Sequence, residues 1–231
     1  MASHPATRRT LLLKSLAFAL FLFLLAPLPA LRAQASAPTP VHDSSALKPP
    51  PGARVAIVEF EDMECPMCAH VNPILREAAA KYQIPWVRHD FPLRMHVWSF
   101  NAAVDARWFD TRSKKIGDEF RDAVFANQAS IETKADLRAF AEKFAQQHGI
   151  GFPFVVDPQG ELAAAVKADY ALGERIGIEH TPTIWVVTNK TSGTPYTEVT
   201  DINQLYSIID QALADTASEH PTAKTAHHRG R

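Results

Sequence analysis

Cysteine is nearly absent: the chain has two in 231 residues, Cys65 and Cys68. A pair this close cannot staple distant parts of a chain, so a disulfide-built miniprotein is excluded. A chain of this length also buries enough core to fold without such staples. Net charge is nearly absent too, at −1, and no basic face suited to nucleic acid is expected. There is no internal repeat. There is also no apolar run of the roughly 20 residues that a membrane-spanning helix needs. The uninterrupted run Leu16 to Ala26 has 11.

That run has a different meaning. Arg8, Arg9 and Lys14 precede it, Pro27 and Pro29 end it, and Ala33-Gln34-Ala35 offers a small-x-small cleavage pattern. This is the layout of a secretory signal peptide, expected over residues 1–35. The alternative is an anchor in which residues 11–31 stay uncleaved. Thr7-Arg8-Arg9-Thr10-Leu11-Leu12 loosely resembles a twin-arginine export signal. No cysteine lies near the cleavage site, so a lipid anchor through cysteine is excluded. The segment holds four of the 24 basic residues (Arg8, Arg9, Lys14, Arg32) and none of the 25 acids, which leaves the remainder at −5. The expected location is the periplasm or the extracellular space, where a cysteine pair is oxidised unless something keeps it reduced.

Residues 36–52 (SAPTPVHDSSALKPPPG) read as an extended Pro/Ser-rich linker, and 216–231 as a disordered tail carrying His227-His228. The folded unit is expected over 53–215. Arg54–Phe60 is a β-branched strand, Cys65–Tyr82 a helix with Pro66 in its first turn and Pro73 inside it, and Trp86–Phe91 a second strand. Together they form a right-handed βαβ unit with a parallel pair. A helical insertion follows at about 92–150. Its helices are expected near Val97–Thr111, Lys115–Ala126 and Thr133–His148, the last opening on Thr133-x-x-Asp136. A further helix starts at Asp157-Pro158 and runs to about Ile176. Thr183–Thr188 and Pro195–Val199 form an antiparallel hairpin, and Ile202–Leu213 a closing helix. The sum is an α/β fold: a four-stranded mixed sheet with helices on both faces.

A single C-x-x-C has several readings. Zinc needs further ligands at the right spacing, and the folded unit offers none. Haem attachment needs C-x-x-C-H, but Ala69 follows Cys68. Two buried structural thiols remain conceivable, yet this pair follows a strand and opens a helix. There the orphan N–H groups and the positive end of the helix dipole stabilise a thiolate at Cys65. Cys65 is therefore the sulfur that partners attack, and Cys68, about one turn in, the one that resolves. Glu59 lies six residues earlier. If Val55, Ile57 and Glu59 share a face, its carboxyl is buried near the helix start, where it could exchange a proton with Cys68. Otherwise it is a surface acid on a strand edge. Thr181-Pro182-Thr183, just before a strand, is a candidate cis bond. His70, His89, His96 and His180 are candidates to lie near the site, His180 first because it adjoins Thr181. The tryptophans Trp86, Trp98, Trp108 and Trp185 read as core. Met63, Met67 and Met95 could line a client groove, though for Met95 core packing is the favoured reading.

Val58-Glu59-Phe60-Glu61-Asp62-Met63-Glu64-Cys65-Pro66-Met67-Cys68 resembles the active-site segment of DsbA-type thiol–disulfide oxidoreductases. Phe91-Pro92-Leu93-x-Met95-His96 with Asn101-Ala102-Ala103 resembles the entry to that family's helical insertion, and Thr181-Pro182-Thr183 its cis-proline loop. The resemblance spans about 53–215. It implies a thioredoxin-like fold with Cys65 as nucleophile, Cys68 as resolving cysteine, Glu59 as buried acid, Pro182 as cis-proline and Thr181 as its partner-contacting neighbour. It also implies a redox-active Cys65–Cys68 disulfide that needs no cofactor, exchanged with cysteine-containing protein substrates and restored by a membrane redox partner. One departure is Met67 where strong oxidases of this type carry histidine. A neutral side chain adds neither charge nor hydrogen bond, so a milder oxidant is expected. Thr181 before the proline resembles the isomerase and reductase branches, but 36–52 cannot supply their dimerisation domain, so a monomer is expected. The alternatives are a reductase or isomerase, and a non-enzymatic protein binding metal or client through its thiols.

Overall fold

A computed structural model describes residues 38–219. The expected signal or anchor (1–35) and His227-His228 lie outside the described residues. Strand β1 (Val55–Glu61) is the axis of the molecule, and all seven of its residues are buried. It pairs in parallel with β2 (Trp86–Asp90), Ile57 opposite Trp86 and Glu61 opposite Asp90. On its other side it pairs antiparallel with β3 (Thr183–Thr188), Val55 opposite Thr188 and Phe60 opposite Thr183. A three-residue β4 (Tyr196–Glu198) completes the hairpin, giving the order β2-β1-β3-β4. Burial on both faces explains why β1 opens on the apolar run Val55–Val58 and β3 carries Ile184–Val187 without a break.

Alternation along β1 feeds two layers. Val55 and Ile57 pack with Val71, Leu75, Leu205 and Ile209. These come from α1 (Pro66–Tyr82) and α6 (Leu205–Glu219). Ala56, Val58 and Phe60 pack on the opposite face with Ile176, Trp185 and Val187. Ile176 closes α5 (Glu161–Ile176), where Gly173 lets the Phe91 ring approach so closely that an added Cβ would stand 2.6 Å from it. The insertion consists of α2 (Ser99–Asp110), α3 (Lys114–Ala126) and α4 (Lys134–Gln147) around Phe109, Phe120, Leu137 and Phe144. Ser113 caps α3 by accepting the Ile116 N–H, and Thr133 with Asp136 forms the capping box of α4.

Four expectations need correction. The segment read as an extended linker is docked: Leu47 is 1% exposed against Phe60 and Trp185, and the His42 N–H donates to the Ile176 carbonyl at 2.8 Å. Its Pro/Ser composition forbids regular structure but not packing, because Val41, Ala46 and Leu47 supply apolar surface. Gly177 accommodates this segment. Its φ is +105°, and a Cβ there would meet the Pro40 carbonyl at 2.7 Å. The closing helix runs to Glu219, and Thr216, assigned to the tail, is fully buried with its hydroxyl donating to Ala212. Helix α5 begins at Glu161 rather than Asp157. The Asp157 carboxylate still accepts two of its orphan amides, from Leu162 and Ala163, but does so from a preceding turn. Met95, read as core, is 79% exposed. Of the four tryptophans, Trp98, Trp108 and Trp185 are buried and Trp86 is half-buried.

Candidate active site at the start of helix α1

Cys65 is the N-cap of α1, with extended backbone (φ −77°, ψ 119°) and Pro66 following at the first helical position. Both cysteines are thiols. Cys65 is 7% exposed and its Sγ lies 3.3 Å from the Thr181 carbonyl; Cys68 is fully buried. The Cys65 thiol is lowered to about 6, first by the hydrogen bond from Cys68, then by the Cys68 and Met67 amides and by Thr181, against the opposing effect of burial. Cys68 moves the other way: burial, the hydrogen bond it gives to Cys65, and the nearby Glu59 all push it up. The two thiols are thus displaced in opposite directions, Cys65 down and Cys68 up.

Thr181–Pro182 is a cis peptide, and it brings the Thr181 backbone against Cys65. Glu59 lies on the α1 face of β1 and is 1% exposed. Its Oε2 accepts the Trp86 indole N–H at 3.0 Å, and its Oε1 has no partner. Burial and the neighbouring Glu61 push its carboxyl up to about 8, against Arg88 and the Trp86 bond, with Cys65 adding to the rise. Cys65, Cys68, Thr181 and Pro182 therefore meet at one place. Glu59 acts on both sulfurs through its charge, with no hydrogen bond to either among the described contacts.

Residues 50–211 match a family model described as thioredoxin. The chain belongs to the thioredoxin family. This family member is similar in fold to alpha-DsbA1 of Wolbachia pipientis (17% identity, 85% of this chain and 98% of that one, TM-score 0.62). It is similar also to the thiol-disulfide exchange protein alpha-DsbA2 of Wolbachia pipientis (17% identity, 71% and 84%, TM-score 0.56). In sequence, it is 25% identical over 189 residues to the Na(+)/H(+) antiporter NhaA 3 of Salinispora tropica. The match takes in 81% of this chain but spans only 28% of that protein's length.

Three side chains of this thioredoxin-family site, those of Asp62, Glu64 and Gln128, were not singled out in the sequence. Asp62 is buried. Its Oδ1 accepts the Glu64 N–H at 2.8 Å, its Oδ2 accepts Leu93 N–H at 2.6 Å and His96 Nδ1 at 2.7 Å, and its carbonyl accepts the Cys65 N–H at 3.0 Å. Its own N–H donates to Cys68 Sγ at 3.5 Å. Glu64 accepts the N–H groups of Val97, Trp98 and Ser99 at 3.1, 2.7 and 3.0 Å, satisfying orphan donors at the start of α2. From beyond α3, the Gln128 amide donates to the carbonyls of Met63 and Cys65 at 2.7 and 3.0 Å. The histidine tied to the site is thus His96, while at His180 only the backbone carbonyl takes part, accepting from Thr183. The cysteines accordingly share a core with Met63 and Trp98 of the insertion.

Met67, between the two cysteines, is 55% exposed, and Met95 and Val97 are 79% and 61% exposed, whereas Met63 is buried. Among the described residues no group of three or more His, Cys, Asp or Glu is placed to hold a metal ion. No described helix is long and apolar enough to cross a membrane.

Proposed function

We propose that this chain is an exported thiol–disulfide oxidoreductase that donates its Cys65–Cys68 disulfide to cysteine-containing proteins. The observation that carries this reading is the placement of the two thiols, Cys65 at the N-cap of α1 with its Sγ 3.3 Å from the Thr181 carbonyl and Cys68 fully buried, which lowers Cys65 to about 6 and pushes Cys68 up. A thiolate held this way stabilises the reduced form, which makes the disulfide the better oxidant. A client thiolate attacks Cys65 Sγ, the Cys65–Cys68 bond breaks, and a mixed disulfide forms on Cys65. A second client thiol then attacks the client sulfur, and the protein departs as the dithiol. Glu59, protonated up to about pH 8, supplies a proton reservoir behind Cys68. Thr181, with its backbone beside Cys65, is the contact for an extended client segment. Met67, Met95 and Val97 supply adaptable apolar surface around it.

The export reading rests on residues 1–35, and periplasmic or extracellular placement follows from it. Turnover requires reoxidation, for which a membrane redox partner is the proposed source. The chain acts as a monomer and takes no nucleic acid. The reduction potential is the decisive measurement. A value well above thioredoxin's roughly −270 mV fits an oxidase. A value near it assigns a reductase or isomerase, the direction that Thr181 before Pro182 would suit. Cys65→Ala should abolish oxidation of reduced, unfolded substrate. Unchanged oxidation would leave only a non-catalytic binding role.

A further inference from the structure

The exchange step has a leaving group. When a thiolate attacks Cys65 Sγ in the oxidised protein, a new S–S bond forms there, the Cys65–Cys68 bond breaks, and its electron pair ends on Cys68 Sγ. Cys68 is fully buried, and its thiol is pushed up by that burial and by Glu59. A poor leaving thiolate is therefore produced in an apolar setting, where charge without a donor is costly. A backbone donor faces it: the Asp62 N–H, 3.5 Å from Cys68 Sγ.

From this geometry we infer that Asp62 is a positioning residue for the exchange reaction, its amide held by the Asp62–His96 clamp so that it stabilises Cys68 as the departing thiolate. The clamp has three points. Oδ2 takes the Leu93 N–H and His96 Nδ1–H, Oδ1 takes the Glu64 N–H, and the Asp62 carbonyl takes the Cys65 N–H. One residue thereby ties the loop that leads into the sulfur pair to the entry of the insertion. The Asp62 side chain is fully buried, whereas His96 reaches the surface at 18% exposure. His96 is thus the outer bolt of a buried carboxylate whose own peptide faces the reaction. This donor does for sulfur what preorganised amides do for a developing oxyanion. Low leaving-group basicity also speeds thiol–disulfide exchange.

The inference rests on the proposed exchange at Cys65–Cys68, and its test separates the two. The oxidised protein is mixed with reduced glutathione, and the rate constant for opening the disulfide is measured in the parent, Asp62→Asn and His96→Ala. Each variant should open about tenfold more slowly, the scale of one hydrogen bond to a charged group. The titration of Cys65 in the reduced protein, read by thiolate absorbance, should stay in place. His96→Asn, which keeps a donor at the Nδ1 position, should restore the rate to within about twofold of the parent, since only the one hydrogen bond had been lost. Should Asp62→Asn fail to fold, His96→Ala, near the surface, carries the test. Parent-like rates in His96→Ala overturn the inference. So does a slowed rate matched by an equal displacement of the Cys65 titration, which would place the effect on the nucleophile. A protein that opens with glutathione as described yet leaves reduced client proteins untouched would sink the proposed function and leave this inference standing.

Discussion

The two sides of the helical insertion are built differently. Its interior is aromatic: the Phe109 ring lies tilted against Phe120, centroids 4.5 Å apart, and meets Phe144 edge-on at 5.1 Å, with Phe120 edge-on to Phe144 at 5.3 Å. The seam where it joins the sheet is ionic. Arg88 on β2 makes a bidentate pair with buried Glu61 on β1, at 3.0 and 2.7 Å. Arg121 on α3 pairs through both nitrogens with Asp110, and Arg107 on α2 reaches Asp90 and Asp169. Apolar packing is non-directional and tolerates repacking. Paired charges fix geometry and fail badly when half of a pair is lost. The site touches both: Glu59 and Glu61 precede the cysteine loop on β1, while the cysteines themselves belong to the apolar cluster that holds Trp98, Phe109 and Phe120.

The seam is tested most severely by Arg88→Ala. It strips buried Glu61 of its bidentate partner and leaves only Arg121 Nε, 3.7 Å away, and unfolding by urea should show a loss of about 4 kcal/mol. A loss under about 1 kcal/mol would mean that the seam holds no more tightly than a surface pair.

Glu59 is the seam's unbalanced member, and its replacement should act in the opposite direction. Between about pH 4.5 and 8 the folded chain holds a proton on Glu59 that the unfolded chain has released, so stability falls as pH rises through that window. Glu59→Gln removes this slope and should stabilise the fold on the order of 2 kcal/mol at pH 7. It should also slow exchange, because the proton reservoir behind Cys68 is gone. Denaturation midpoints at pH 5 and pH 8 check the sign, and a variant as pH-dependent as the parent rejects the assignment.

The smallest effect belongs to the bolt between cysteine loop and insertion. Glu64→Ala frees three amides at the start of α2 and should cost about 1 kcal/mol, in the range of a lost helix cap. Hydrogen exchange at Val97, Trp98 and Ser99 should rise selectively. Protection unchanged at these three would show that their amides have another acceptor.

The sheet was legible because its strands are β-branched runs with breakers between them, and Thr133-x-x-Asp136 marks its helix start correctly. The cysteine pair, Thr181 and Pro182 could be placed because each sits in a local pattern. Asp62, Glu64 and Gln128 could not. Their partners lie 31 to 65 residues away in sequence, and a carboxylate beside a cysteine reads the same whether it faces solvent or bolts a loop. His96 was one of four candidate histidines but ranked behind His180, because adjacency in sequence to the proline stood in for adjacency in space. The docked segment around Leu47 was hidden by its composition, since proline and serine report the absence of helix and strand rather than the absence of contact.

The far end of the sheet has a consequence of its own. Strand β4 is three residues long, and Glu198 at its end accepts both the backbone N–H and the hydroxyl of Thr39 at 2.7 and 2.8 Å. An exposed edge strand is a template on which extended chains add and filaments grow. Here that edge is cut short and its terminal carboxylate is already engaged by the docked N-terminal segment. A molecule proposed to handle unfolded chains therefore offers them little free sheet edge on this side, which guards it against co-aggregating with its own clients.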